Sequence, residues 1–124
     1  MRKLILLVAL FGAGAQAADA PSAYKLGLMH RNATGAAQGA VLAAHWIGVA
    51  ARGGLAEAMF TLSNMLAVGE GVAQDGAAAR RWLEESAALG YPAALQHLAL
   101  TEPDPRKADL LMRQAAHALQ HWPL

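Results

Sequence analysis

Residues 54–90 read GLAEAMFTLSNMLAVGEGVAQDGAAARRWLEESAALG, and this stretch decides the fold. Ala58, Leu62, Met65 and Leu66 recur at i, i+4, i+7 and i+8, and Ala79, Trp82, Ser86 and Leu89 at i, i+3, i+7 and i+10. Both patterns have the period of an amphipathic helix, and strand alternation is nowhere sustained. Between them, Gly69-Glu70-Gly71 supplies residues that tolerate positive φ where antiparallel helices must turn. The spacing predicts a helical hairpin closed by Gly90.

A shift of 36 residues superposes this unit on its neighbours. It carries Leu26-Gly27-Leu28-Met29 onto Leu62-Ser63-Asn64-Met65, Gly35 onto Gly71, Trp46 onto Trp82, Ala50-Ala51 onto Ser86-Ala87, and Gly54 onto Gly90. A further shift takes Ala58 to Ala94 and Leu62-Ser63 to Leu98-Ala99. The third unit then shortens: Leu26 to Trp46 and Leu62 to Trp82 are both 20 residues, but Leu98 to the equivalent Leu111 is only 13. Its second helix is read over 108–119. A fixed period of this length marks stacked hairpins, which bury a continuous seam that one hairpin alone cannot. Pro21, Pro92 and Pro105 suit first helical turns, Asp75 and Asp104 suit N-caps, and Gly53-Gly54 and Gly90 suit helix ends. The predicted helices are 21–32, 39–52, 55–67, 76–89, 92–101 and 105–120, in units of about 21–53, 54–90 and 91–120.

About a quarter of the chain is alanine. Small residues at Ala58, Ser63, Ala87 and their equivalents let helices approach closely, while Leu62, Met65 and Trp82 fill the space between them.

The stretch resembles a Sel-one-like (Sel1-like) repeat, a relative of the tetratricopeptide repeat. The residues that carry the resemblance are Ala58 and Leu62-Ser63, then Gly69-Glu70-Gly71-Val72 with Asp75, then Ala79, Trp82, Ala87 and Gly90. It extends over residues 21–119, with the central unit well formed and the outer two departing from the pattern: Gly39 stands where Asp75 does, and the third unit lacks the loop. Terminal repeats are often atypical, and Arg106, Lys107, Asp109, Arg113, Gln114, His117 and His121 suit a capping last helix. The resemblance implies an all-α fold, a short right-handed α-solenoid of about three antiparallel helix pairs. Its concave surface, lined by the first helix of each pair, would bind proteins or peptides. It implies adaptors, regulators or inhibitors in preference to enzymes, although some bacterial relatives bind or hydrolyse penicillin-type antibiotics.

The N-terminal residues carry a separate signal: Arg2 and Lys3, an apolar run from Leu4 to Phe11, and Ala15-Gln16-Ala17 as an A-x-A pattern. This reads as a secretory signal peptide over 1–17, cleaved near Ala17/Ala18. The run is too short to span a bilayer, and no second one follows. Cleavage changes 10 Lys+Arg to 8 against 9 Asp+Glu, so net charge moves from +1 to −1. That excludes a basic nucleic-acid footprint. The chain has no cysteine, so disulfides and thiolate zinc sites are excluded and packing alone must hold residues 18–124 together. The expected address is the periplasm, with outright secretion as the alternative.

Candidate chemistry is sparse. Ser22-Ala23-Tyr24-Lys25 matches S-x-x-K of penicillin-recognising enzymes, but the S-D-N and K-T-G companions are missing. His117 and His121 stand at i and i+4 without an obvious third ligand. Glu84-Glu85 diverge by about 100 degrees on a helix, and pair better with Arg80 and Arg81 one turn earlier. Trp46 and Trp82, at equivalent positions, read as core packing. Gly69-Glu70-Gly71 lacks the lysine and hydroxyl of a phosphate loop. No cofactor, metal or catalytic residue is expected.

What remains is a stripe on the first helices, read as exposed: Glu57, Thr61 and Asn64 at i, i+4 and i+7, with Lys25 and His97 equivalent to Thr61. These five are the candidate binding residues. The function expected is a non-enzymatic periplasmic interaction module, monomeric, with another protein or peptide as partner. The alternatives are a small β-lactam-binding or hydrolytic enzyme on the same repeats, and an assembly piece.

Overall fold

The computed structural model describes residues 20–34 and 37–123, so residues 1–17, read above as a signal peptide, and Gly35 lie outside the described residues. Six helices follow in order: α1 (Ala20–Thr34), α2 (Ala37–Arg52), α3 (Ala56–Val68), α4 (Gly76–Ala88), α5 (Pro92–Thr101) and α6 (Pro105–His121). Each packs against the next. The architecture is all-α, a short solenoid of three helix pairs.

Helix ends form where local chemistry requires them. Asp75 Oδ1 accepts the Ala78 N–H at 3.0 Å, satisfying a donor that the first turn of α4 leaves open. Pro92 and Pro105 occupy first turns, and Asp104 accepts from Arg106 N. The pair closings repeat with the sequence: Gly54 N–H donates to Ala51 O and Leu55 N–H to Ala50 O, and 36 residues on Gly90 donates to Ala87 O and Tyr91 to Ser86 O.

The first unit differs from the expected pattern. Its helices run to Thr34 and begin again at Ala37, where 32 and 39 are predicted. The physical reason lies in the residues equivalent to Gly69, Gly71 and Asp75, which are Ala33, Gly35 and Gly39. Ala33 does not favour the left-handed turn that Gly69 makes at φ +78°, and Gly39 has no side chain with which to cap, so the helices extend from both sides.

In the central unit the loop seats directly on α2. Gly71 has φ +71°, and a Cβ there would lie 2.1 Å from Ala40 O. Glu70 beside it is held by Arg31 from α1, with Nε donating to Oε2 at 2.7 Å and Nη2 to Oε1 at 2.9 Å.

Two clusters make the core. One joins Ala23, Ala43, Ile47, Ala50, Ala58, Leu62 and Met65, with half-buried Trp46, Val72 and Trp82 against it. The other joins Leu83, Ala87, Ala94, Leu95, Leu98 and Ala115, with Phe60, Tyr91 and Leu111 at its edge. Most buried apolar positions among the described residues are alanine, as close helix approach requires. Gly27 takes this furthest, since a Cβ would meet Ile47 Cγ1 at 2.6 Å. Ser86, fully buried, donates to Ala56 O at 2.9 Å and ties α4 to α3. Leu26 is half-buried, and both tryptophans are core-edge packing rather than fully enclosed.

The ends of the stack are marked by equivalent residues with unequal burial. Ala58 and Met65 are fully buried, whereas their equivalents Ser22 and Met29 are exposed on α1. On α6 the expected polar residues are exposed, but Leu110, Met112 and Leu119 are exposed among them. Met112 corresponds to Leu83, which α5 covers; among the described residues no unit lies beyond α6.

Candidate binding face

Side chains join each first helix to the next, α1 to α3 and α3 to α5, through a repeating contact. Tyr24 OH lies 3.0 Å from Thr61 Oγ1, and one repeat later the Phe60 ring stands edge-on to His97, centroids 6.3 Å apart. Both pairs are 37 residues apart, one aromatic residue reaching from each first helix to the next.

The Tyr24 contact organises the centre of the face. Thr61 Oγ1 donates to Glu57 O at 3.0 Å. Its single proton is thereby used, so Tyr24 OH is the donor to Thr61. This corrects the expected exposure of Thr61: it is only 8% exposed, because the Tyr24 side chain of the preceding unit covers it. Lys25 is exposed, with no earlier unit over it among the described residues, and so is His97 on α5. Glu57 and Asn64 are half-buried. Of the five candidates, the structure brings Glu57 and Thr61 together directly and places His97 against Phe60.

An aromatic chain continues from there. Tyr91, the N-cap of α5, lies 5.5 Å from Phe60 and 5.2 Å from Trp122, which follows α6. Such tilted and edge-on ring pairs are favoured by the quadrupoles of the rings. Burial raises the Tyr91 pKa above its ordinary 10.0, and the negative charge of Tyr24 and then of Glu57 adds to the rise. Glu57 also stands in the first turn of α3, where the helix dipole favours a carboxylate. The ion pairs among the described residues are Arg31–Glu70, Arg80–Glu84 and Arg113–Asp109, and Glu57 is in none of them.

Tyr24, Phe60, Tyr91 and Trp122 were not among the sequence candidates. The signal for two of them was present, since Tyr24 and Phe60 superpose under the 36-residue shift. Tyr91 and Trp122 have no aromatic equivalents, and only the meeting of the α5 start with the α6 end joins them.

The other candidates do not assemble chemistry. Ser22 and Lys25 are both exposed on α1. His117 and His121 are exposed with ring centroids 4.5 Å apart, and no group of three or more His, Cys, Asp or Glu that could hold a metal occurs among the described residues. Arg80 Nε pairs with Glu84 at 2.7 Å, as the helix spacing predicts. A separate open groove of about 590 Å³ lies where α4 and α5 meet α6, lined by Ala87, Gly90, Leu95, Arg113 and His117 among others. No helix among the described residues is long and apolar enough to cross a membrane.

The fold is similar to the crystal structure of a Sel1 repeat protein from Oxalobacter formigenes, with TM-score 0.71 and 28% sequence identity over 94% of this chain and 90% of that one. No protein-family model matches the chain, and no curated protein does.

Proposed function

We propose that this chain, which has a Sel1-like repeat fold, is a non-enzymatic adaptor, regulator or inhibitor that binds another exported protein through the face of α1, α3 and α5. Such repeat folds generally serve as protein-interaction modules. The observation that carries the reading is the set of half-buried aromatic side chains, Tyr24, Phe60, Tyr91 and Trp122, drawn from all three units, with Glu57 one helical turn before Phe60. Aromatic side chains with one apolar face and a polar tip are the groups most enriched in interface hot spots. A periplasmic address is supported by the Arg2-Lys3, Leu4–Phe11 and Ala15-Gln16-Ala17 signals.

Affinity capture from fractionated producing cells tests both parts. The tagged protein is expected in the periplasmic fraction, retaining a discrete partner. Charge reversal at Glu57→Lys is expected to release the partner without loss of fold, while Arg81→Glu, exposed on α4, retains it. Release by Arg81→Glu alone would assign binding to the opposite face.

A further inference from the structure

The face described above contains a charge without its complement. Glu57 is half-buried, and no lysine, arginine or histidine nitrogen lies within 4 Å of its carboxylate among the described residues. Three groups define what stands around it. Thr61, one turn on, holds the Tyr24 hydroxyl against α3 and spends its own proton on the Glu57 carbonyl, so the side-chain carboxylate receives nothing from Thr61. Phe60, three residues on, leads to Tyr91 and from there to Trp122. Glu57 thus stands one helical turn before Phe60, the first of a run of tilted rings that are themselves only partly covered.

A carboxylate beside aromatic faces is complementary to one kind of side chain above others. A guanidinium can lie flat on a ring while its edge forms two parallel hydrogen bonds to a carboxylate, and it is less strongly hydrated than an ammonium. We propose that the partner inserts an arginine side chain at Glu57, its guanidinium paired with the carboxylate and stacked on the Tyr91–Trp122 rings. The inference rests on the reading of this face as the binding surface and adds the chemistry of the partner's anchor. Lys25, one residue beyond Tyr24, is exposed to water and in none of the ion pairs among the described residues. His97 stands edge-on against the Phe60 ring, centroids 6.3 Å apart.

The probe is an acetylated, amidated Gly-Gly-Arg-Gly-Gly peptide titrated into the whole protein, read by NMR at the Trp122 indole and Tyr91 ring. Saturable shifts at both are expected. The citrulline analogue, which keeps the shape and loses the charge, is expected to bind about tenfold or more weakly, as is the arginine peptide to Glu57→Gln. Equal binding of arginine and citrulline peptides, or no saturable shift with arginine, overturns the proposal. Should Glu57→Gln disturb the fold, the citrulline comparison on the unaltered protein decides alone. Failure here with continued capture of a partner that Glu57→Lys releases leaves the binding face in place and removes only its arginine anchor. Failure of both removes the face.

Discussion

Replacing Gly71 by alanine tests whether the G-x-G loop is a structural seat on α2. Two costs are visible. The backbone is left-handed at φ +71°, which costs an alanine about 1–2 kcal/mol. The new Cβ would also stand 2.1 Å from Ala40 O, far inside contact distance and against backbone that cannot rotate away. The loop must therefore lift from α2, drawing Glu70 from Arg31 and Val72 from the core cluster. Overpacking of this kind costs about 1–3 kcal/mol, and the half-exposed ion pair adds less than about 1 kcal/mol. Against these, alanine restricts the unfolded chain, a gain of about 0.4–1 kcal/mol. The expected net loss is about 2–4 kcal/mol, or about 10–20 °C in melting temperature for a domain of this size. Urea denaturation followed by circular dichroism measures it. Gly76→Ala is the control: it opens α4 with nothing within 4 Å of a new Cβ and is expected to be neutral or mildly stabilising. Equal effects of the two substitutions, or a loss at Gly71 below about 0.5 kcal/mol, would refute the seating of the loop.

Ser86→Ala removes the buried hydrogen bond to Ala56 O and is expected to cost about 1 kcal/mol, with Ser86→Val worse because the site is fully enclosed; a stabilised Ser86→Val would contradict this. Trp82→Ala is expected to cost about 2–3 kcal/mol by denaturation, below the range of a fully buried aromatic because Trp82 is only half-buried at the core edge. Tyr91 has a folded pKa raised above 10.0, so the fold favours its protonated form: its contribution is complete below about pH 10 and is lost as pH rises through the folded pKa. Tyr91→Phe is accordingly expected to flatten the loss of stability above pH 10, and ultraviolet titration should lose one tyrosine that ionises above pH 10; an unchanged alkaline profile would count against the burial of the Tyr91 hydroxyl.

The helices and their order were legible because the 36-residue shift and the helical period agree at Leu62, Met65, Trp82 and Ala87, and because Asp75, Pro92 and Pro105 mark helix starts by local chemistry alone. Boundaries failed only where the first unit lacks those local signals, at Ala33 and Gly39. The face was half legible. Position along the repeat shows which residues are equivalent, but burial depends on what the neighbouring unit places over a residue. Thr61 is therefore covered by Tyr24 while its equivalents Lys25 and His97 are exposed. The Tyr91–Trp122 contact joins the ends of two helices and leaves no periodic trace.

The central claim is that the face of α1, α3 and α5 engages another protein, and site-specific photocrosslinking in the producing cell tests it most directly. A photoreactive amino acid at position 97, exposed beside Phe60, is expected to yield a discrete adduct with a second protein, whereas one at position 84, exposed on α4, yields none. An adduct from position 84 with none from position 97 would contradict the account.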